Sequence, residues 1–316
     1  MDNKKIKFGV IGVGYLGQHH VKHLAKFDFI DLVGIYDTNK NLMLEISKVH
    51  NVSIYESLEQ LLNEVEAVSI VTPTNSHAEV AQQALNHDCH VFIEKPISYS
   101  VESAQLILKE VITKNKVAHV GHIERFNPAF KSFMKQKHNP LFVECHRLTK
   151  INNRSMDISV VLDLMIHDID LIIQMIDSSI KEIIADGISV LSNNVDLANV
   201  KIIFKNGAVA NLTASRISGK DMRKIRVFEN KKYTSIDLLN KEVKEYSAHA
   251  IDKEKMSFSH QTITVNKVDA LAEELTHFYN CIINNNFDTK NIENAIIALK
   301  IAQEINDIIQ TKKAVK

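Results

Sequence analysis

The sequence predicts an α/β protein with two domains: an N-terminal Rossmann fold, built on a doubly wound parallel sheet, and a C-terminal α+β domain with a large, mostly antiparallel sheet. Three observations lead to this prediction. Short apolar segments alternate with helical ones through the first 122 residues, polar and apolar residues alternate in later segments, and Asn206-Gly207 separates two of those later segments. Apolar strands spaced by helices are typical of parallel sheets, whereas alternating strands joined by Asn-Gly are typical of antiparallel hairpins.

The first half of the chain has a regular order of strands and helices. Strands are predicted over residues 5–12, 31–37, 67–73, 89–96 and 117–122, and helices over residues 16–26, 77–87 and 103–115. A chain of 316 residues is long enough for about two domains. We therefore place the domain boundary just after the last of these strands, which gives domains of residues 1–122 and 123–316.

The second half has a different pattern. Alternating strands are predicted over residues 140–149, 199–205, 208–214, 224–230 and 233–239, and helices over residues 157–176, 270–283 and 293–309. We expect the helix at 157–176 to cover one face of the antiparallel sheet, which leaves the other face open.

The composition excludes several classes of protein. The chain is 45% hydrophobic and 24% charged with a formal net charge of zero, so nothing indicates a basic surface for nucleic acid. Cys89, Cys145 and Cys281 lie far apart without a C-x-x-C pair, which argues against a disulfide framework or a zinc knuckle and favours a reducing cytoplasm. The lysine-rich start resembles a signal peptide, but its apolar run is short, glycine-rich and lacks a cleavage site, and no segment is apolar enough to span a bilayer.

A glycine loop follows the first predicted strand. Gly12, Gly14 and Gly17 have G-x-G-x-x-G spacing, the loop opens a helix, and Asp37 ends the next strand 20 residues later. This context is typical of dinucleotide binding, and the alternative is a glycine-rich turn in an unrelated α/β domain. Asp37 is predicted to accept hydrogen bonds from ribose hydroxyls and to repel a 2′-phosphate, which favours NAD over NADP. The nearby Lys40 works against a strict preference for NAD. The alternative for Asp37 is a simple turn residue. The predicted contacts within the loop are Gly12, Gly14, Tyr15, Leu16 and Gly17.

The stretch VLDLMIHDIDLI, residues 161–172, is apolar yet carries four ionisable residues. On a helix, Asp163, His167 and Asp170 lie within about 60° of one another and form one polar stripe, while Asp168 points elsewhere and is expected to cap or pair locally. The stripe indicates a cleft; the alternative is a buried structural Asp–His pair. A divalent ion is a further alternative, but the dinucleotide loop makes metal-free chemistry the simpler interpretation. Three histidines early in the first helix (19, 20 and 23) lack a matching ligand cluster, so a solvated or phosphate-adjacent role is favoured over metal binding.

Four motifs together, GVGYLG, TPTNSH at 72–77, EKP at 94–96 and DLMIHDID at 163–170, resemble the glucose–fructose oxidoreductase/inositol dehydrogenase (Gfo/Idh/MocA) family over nearly the whole chain. The resemblance implies an active site of Lys95, Asp163 and His167. It implies further cofactor contacts at Thr72, Pro73, Asn75, His77, Glu94 and Lys95. GHIERFNPAF at 121–130 and ANLTASRIS…RKIRVF at 210–228 look like the branch that oxidises nucleotide-activated sugars, such as UDP-N-acetylglucosamine 3-dehydrogenases.

The expected chemistry is hydride transfer between a secondary alcohol of a sugar and nicotinamide. His167 is the predicted base because its reference pKa of about 6.5 is near working pH, Asp163 would orient the ring, and Lys95 would donate to the reacting oxygen or only position the cofactor. Candidates for gripping substrate, including a diphosphate, are Arg125, Asn127, Arg154 and Arg216. Asp170 is a further predicted substrate contact. For the arginines, structural salt bridging is an equal alternative.

Two other functions stay open at this point. One is a reductase of a C=N or conjugated double bond, which could dispense with His167; the other is a non-catalytic NAD-binding regulator, which predicts loss of Lys95 or His167. The expected partners are a sugar or nucleotide sugar and, as the resemblance implies, a second copy of the chain in a homodimer or homotetramer, with no nucleic acid and no membrane. We also predict a cis peptide bond between Lys95 and Pro96, because X–Pro is the bond at which the cis form costs little.

Overall fold

In a computed structural model of the chain, the residues described are 5–151, 158–250, 256–266 and 268–314. The backbone packing divides the chain into two units. Residues 1–123 and 271–297 belong to the first unit, and residues 124–270 and 298–316 to the second. Each unit has its own apolar core.

The sheet of the first unit has six parallel strands in the order β3-β2-β1-β4-β5-β6. These strands are β1 (Ile6–Ile11), β2 (Ile30–Tyr36), β3 (Ser53–Ile54), β4 (Ala67–Ile70), β5 (His90–Glu94) and β6 (Ala118–Gly121). The predicted doubly wound parallel sheet is therefore confirmed. The order reverses between β1 and β4, and ligands of such sheets bind at the carboxyl ends of the strands beside this reversal.

The sheet of the second unit has eight strands in the order β14-β13-β12-β11-β7-β10-β9-β8. These strands are β7 (Phe142–Lys150), β8 (Ile180–Ile188), β9 (Leu197–Phe204), β10 (Val209–Ser218), β11 (Met222–Glu229), β12 (Lys232–Asp237), β13 (Glu242–Ala250) and β14 (Met256–Ile263). All neighbours are antiparallel except β7 and β10. The hairpin predicted at Asn206-Gly207 joins β9 to β10, and Gly207 has the φ of +89° that this turn needs.

The helices of the described residues are α1 (Tyr15–Leu24), α2 (Lys40–His50), α3 (Leu58–Leu62), α4 (Thr74–Asn86), α5 (Val101–Lys114), α6 (Pro128–Phe133), α7 (Ile166–Met175), α8 (Ala270–Ile283) and α9 (Lys290–Ala314). Helix ends follow local sequence signals. Asn39 and Ser100 cap α2 and α5 by accepting backbone N–H groups of the first turn, and Asn115 closes α5 in the left-handed conformation. None of the helices in these ranges is long and apolar enough to cross a membrane.

Helix α8 packs in the first unit, although it comes from the part of the sequence that we assign to the second domain. Its Phe278 ring meets Phe8 and Phe92 edge-on, with ring centroids 6.1 and 5.9 Å apart. Leu275 and Tyr279 are buried in the same core. A helical hydrophobic pattern identifies the buried face of α8 but not the sheet that the face covers.

The helix predicted over residues 157–176 is not uniform. Residue 157 lies outside the described residues, Val161–Met165 form a π-helical turn, and α7 continues as an α-helix from Ile166. Apolar side chains of this segment, including Met165, Ile169 and Ile172, are buried in the core of the second unit. The prediction that this segment packs on the sheet is confirmed, but the wide turn changes the angular spacing on which the predicted polar stripe was based.

Candidate active site

The glycine loop connects β1 to α1 and leaves room for a ligand at one position only. A Cβ on Gly12, whose φ is +86°, would lie 2.6 Å from the carbonyl oxygen of Val71, and a Cβ on Gly17 would lie 2.0 Å from the carbonyl oxygen of Gly12. A Cβ on Gly14 would meet nothing within 4 Å, and no side chain caps α1 there. An open space in front of uncapped helix N–H groups fits the pyrophosphate of a dinucleotide.

Asp37, just after β2, is tied to this loop. One carboxylate oxygen accepts the backbone N–H of Val13 at 2.8 Å, and the other accepts that of Asn39 at 2.8 Å. The contact with Asn39 is the one expected of a turn residue, whereas the contact with Val13 holds the carboxylate beside the glycine loop. Each oxygen retains a second lone pair with which it can accept a ribose hydroxyl.

The segment after β4 carries the predicted contacts Thr72, Pro73, Asn75 and His77. Asn75 is exposed at the start of α4, but His77 is buried. The ring nitrogens of His77 lie 2.8 Å from the carbonyl oxygen of Thr72 and 2.9 Å from that of Pro96. Burial lowers the pKa of His77, against the opposite effect of the two carbonyls and of Glu94. His77 therefore links the segment after β4 to the EKP loop, and both of its ring nitrogens take part in these contacts.

The EKP loop begins at the end of β5. The Lys95–Pro96 bond is cis, which confirms the prediction. The carboxylate of Glu94 faces the Nε2 atom of His20 at 3.1 Å and accepts the backbone N–H of Lys95 at 3.2 Å. Burial by itself would raise the pKa of Glu94, but the hydrogen bond with His20 and the charges of His20 and Lys95 hold this pKa below its usual value.

The four ionisable residues of the stretch 161–172 fall into two classes. Asp168 and Asp170 are buried, whereas Asp163 and His167 are only partly buried. The Asp170 carboxylate accepts two hydrogen bonds from the guanidinium of Arg125 and one from Gln174. Asp170 is therefore an ion-pair partner within the second unit and not simply a member of an open polar stripe.

Asp168 pairs with a distant residue, so the expectation of a local cap or pair was wrong. Its Oδ1 atom accepts both Nε and Nη2 of Arg147 on β7, at 3.1 and 2.7 Å. Arg147 also donates to Glu124 at 2.8 Å. Burial raises the pKa of Asp168 even though Arg147 opposes this. A buried guanidinium between two carboxylates fixes α7 to the sheet, because breaking such a pair leaves an uncompensated buried charge.

The residues predicted to grip substrate have other contacts in the structure. The side-chain amide of Asn127 donates to Glu124 and to the carbonyl oxygen of Leu238, and its oxygen caps α6. Arg216 donates to the carbonyl oxygen of Ile158. The Arg125–Asp170 pair matches the salt-bridging alternative, whereas Asn127 and Arg216 make structural hydrogen bonds. A role of these three residues toward substrate stays a prediction. Arg154 lies outside the described residues.

The predicted cofactor residues thus converge on the carboxyl ends of neighbouring strands of the first unit. Asp37 contacts the glycine loop, and His77 contacts the EKP loop. Asp163, His167 and Asp170 lie on one segment of the second unit. Sequence reasoning missed the involvement of His20, although a signal existed: residues 17, 20, 21 and 24 share one face of α1 and are all buried.

A Rossmann unit with an open glycine loop and an acidic residue after β2 is typical of a dinucleotide-binding protein. Comparisons with known proteins place the chain more narrowly. The model of an oxidoreductase family with an NAD-binding Rossmann fold, GFO_IDH_MocA, matches residues 6–122, and a GFO/IDH/MocA C-terminal domain matches residues 119–232. The chain belongs to the Gfo/Idh/MocA family and is an NAD-dependent oxidoreductase.

Individual relatives cover most of the chain. A UDP-N-acetylglucosamine 3-dehydrogenase from Acidithiobacillus ferrooxidans is 34% identical over 88% of both chains, and a myo-inositol 2-dehydrogenase from Thermotoga maritima is 29% identical over 72% of this chain and 73% of its own. A solved structure of the A. ferrooxidans enzyme covers 97% of this chain and 98% of its own, with a TM-score of 0.91 and 31% identity. Apo scyllo-inositol dehydrogenase from Lactobacillus casei has the same fold, with a TM-score of 0.82, 19% identity and coverage of 99% and 98%.

Proposed function

We propose that the protein oxidises the C3 hydroxyl of a nucleotide-activated amino sugar of the UDP-N-acetylglucosamine type, with NAD as the hydride acceptor. The observation that carries this proposal is the 34% identity with a UDP-N-acetylglucosamine 3-dehydrogenase, which extends over 88% of both chains and so includes both units. The presence of Lys95 and His167 speaks against a non-catalytic regulator.

We assign cofactor binding and substrate binding to the two domains predicted from the sequence. Residues 1–122 bind the cofactor, and residues 123–316 bind substrate and form the contacts between copies of the chain. Cofactor binding is assigned to the glycine loop, to Asp37, to the 72–77 segment and to the EKP loop. Bound NAD supplies the atom that accepts the hydride.

The residues of this chain manage the proton and the charge. His167 removes the hydroxyl proton, and such a positioned base contributes about 10²–10⁴-fold to the rate. Asp163 orients the imidazole and stabilises its protonated form. The Lys95 ammonium donates a hydrogen bond to the substrate oxygen as negative charge develops on it.

The predicted contacts with the substrate and its diphosphate are Arg125, Asn127, Arg154 and Arg216. The Arg125–Asp170 and Arg147–Asp168 pairs support the segment that carries His167, because each joins α7 to another element of the second unit. Support of this kind keeps a catalytic side chain within the narrow range of positions that its reaction needs.

We further propose a homo-oligomer in which the open face of the second sheet is the interface. Five rings lie in a row across neighbouring strands of this face, with centroids 4.9–5.9 Å apart; the first pair meets edge-on and the other three pairs are stacked. The row consists of Phe142, Phe228, Tyr233, Tyr246 and His260. Light scattering at micromolar concentration should give a dimer or tetramer, and a monomer would contradict this proposal. The three cysteines, which form no disulfide, support a reducing compartment such as the cytoplasm.

The test of the main proposal is a substrate panel. The purified protein is incubated with NAD and with UDP-N-acetylglucosamine, UDP-glucose, free N-acetylglucosamine or myo-inositol, and NADH formation is followed. We expect turnover with the nucleotide amino sugar and formation of a 3-keto product, identified by mass spectrometry after trapping of the carbonyl. Turnover with only free N-acetylglucosamine or myo-inositol would overturn the proposal. It would also be overturned if the protein reduced an imine or a conjugated alkene and did not need His167 to do so.

A further inference from the structure

The histidine run at the start of α1 has one buried member. His20 is 1% exposed, whereas His19 is exposed and His23 is partly exposed. A buried imidazole requires hydrogen-bond partners, since desolvating a polar group without them is costly. The sequence suggested a solvated or phosphate-adjacent role for this run, and the structure excludes solvation for His20.

The His20 ring lies between a hydroxyl and a carboxylate. Its Nδ1 atom is 2.7 Å from Oγ of Ser69 in β4, and its Nε2 atom is 3.1 Å from Oε1 of Glu94 at the end of β5. The ring of Phe92 packs edge-on against it at 5.3 Å. The imidazole thus spans two neighbouring strands directly behind the EKP loop.

The chemistry of the partners assigns the protons. An ionised carboxylate only accepts, so Nε2 of His20 carries the hydrogen and donates it to Glu94. The Ser69 hydroxyl can donate to a bare Nδ1 atom or accept from a protonated one, so it suits either charge state of the ring. The second oxygen of Glu94 accepts the backbone N–H of Lys95, which places the carboxylate immediately beside that residue.

This arrangement has the members of a hydrolytic triad but cannot act as one. Ser69 is 0% exposed and lies in the middle of a fully buried strand, where no acyl group can reach its hydroxyl. A serine nucleophile needs an accessible oxygen together with donors for the oxyanion. A hydrolytic role for Ser69, His20 and Glu94 is therefore excluded. Their contacts fit a role in positioning the Glu94 carboxylate.

We propose that Ser69 and His20 form a buried relay that holds the Glu94 carboxylate in place as an anion beside Lys95, so that His20 is a positioning residue for the reaction. The carboxylate holds the backbone of Lys95 through the hydrogen bond from its N–H, and this positions the side chain that is proposed to donate to the substrate oxygen. This inference rests on the role proposed above for Lys95.

The electrostatic surroundings support an anionic Glu94. His20 from α1 and Lys95 from the same loop lower the pKa of Glu94 against the effect of burial. His77 of α4 also interacts with the charge of Glu94. His119 on β6 stacks on Phe92 and pairs with Glu274 of α8 at 3.0 Å. The donor from His20 is thus the main side-chain contact with Glu94 that a mutation can remove without touching the proposed catalytic residues.

Two substitutions separate the halves of the relay. The amide of His20→Gln can reach the position of Nε2 and donate to Glu94, whereas the amide of His20→Asn reaches only the position of Nδ1 and contacts Ser69. Both substitutions remove the ring that packs against Phe92. The loss of this packing is therefore common to the two variants, and each serves as the packing control for the other. We expect His20→Asn to lower kcat about tenfold or more and to raise the midpoint of the Glu94 titration by roughly one pH unit, because Glu94 loses a charged hydrogen bond. His20→Gln should restore a large part of both.

A second readout needs no sugar. Calorimetric titrations with NAD at pH values on both sides of the ordinary glutamate pKa of about 4.3 should show the same upward shift for His20→Asn, and for Glu94→Gln a loss of the pH-dependent step. Should no sugar be oxidised, the proposed function fails, yet these titrations still decide the role of His20. Equal pH profiles for wild type, His20→Asn and His20→Gln would overturn the inference, even if both variants lost thermal stability. Equal shifts in both variants would overturn it as well.

Discussion

Replacing Gly14 by alanine should separate cofactor binding from folding. The φ of Gly14 is −59°, which an alanine can adopt, and the added Cβ would meet no protein atom within 4 Å. Gly→Ala at a compatible position changes stability by about 0.4–1 kcal/mol, usually upward, because the unfolded chain loses freedom. The melting temperature without ligand should therefore stay the same or rise slightly.

Cofactor binding should suffer at the same position. The methyl group would occupy the space in front of the N-terminus of α1 and push the pyrophosphate away from the backbone N–H donors. Losing one charge-assisted hydrogen bond costs about 1.5–3 kcal/mol, which weakens NAD about 10- to 150-fold. At an NAD concentration 100 times the wild-type Kd, the stabilisation by NAD is about 2.7 kcal/mol, and for a 100-fold weaker variant it falls to about 0.4 kcal/mol.

The assay is calorimetric titration with NAD together with thermal unfolding, with and without NAD. Gly219→Ala is the matched control, since a Cβ there also meets nothing within 4 Å and the residue lies far along the chain in the second unit. Gly17→Ala is the opposite case: its Cβ would collide with the Gly12 carbonyl, so it should destabilise the fold itself. Unchanged NAD affinity in Gly14→Ala would refute the placement of the pyrophosphate at this loop.

Three further predictions follow from the site and the fold. His167→Ala should abolish single-turnover NADH formation while NAD binding and the melting temperature stay nearly unchanged; a destabilised but active variant would show that the residue is structural. Asp37→Ala should narrow the preference for NAD over NADP in calorimetry, and wild-type protein that binds NADP as tightly as NAD would contradict the assignment. Burial and the charge of Lys116 lower the pKa of His90 to about 4, and its Nδ1 atom accepts the backbone N–H of Val117. Because this pKa lies below the unfolded value of about 6.5, the contribution of His90 to stability is full above pH 6.5 and is lost as the pH falls toward 4, by about 1–2 kcal/mol after allowance for partial exposure of the ring. His90→Asn keeps an acceptor and should flatten this part of the plot of unfolding free energy against pH. An unchanged plot would count against this role of His90.

Local signals were sufficient for much of the fold. The parallel sheet followed from apolar runs spaced by helices, and the β9–β10 hairpin from Asn206-Gly207, because a turn needs only a few neighbouring residues to specify it. The cis bond before Pro96 and the open position at Gly14 also lie within short motifs. The strands β3, β8, β13 and β14 were not predicted.

Long-range partners were beyond the sequence pattern. The polar positions of residues 161–172 were visible, but the partner of Asp168 is 21 residues away in Arg147, and that of Asp170 is 45 residues away in Arg125. Periodicity reports which side of a helix a residue faces and not which residue comes to meet it. The π-helical turn was missed for a related reason, because its wider spacing has no signature in residue type.

These partners explain why an apolar segment can carry so many charges. Asp168 and Asp170 lie on different sides of α7, and each is held by an arginine from another part of the second unit. Two such attachments on different sides of one helix resist both its rotation and its translation, since either motion would separate a buried ion pair. The π-helical turn that precedes α7 contains Asp163, and π-turns inside helices are frequent at functional sites. The buried carboxylates therefore anchor the helix, so the partly exposed Asp163 and His167, which we propose as catalytic residues, lie on a segment whose position is already fixed.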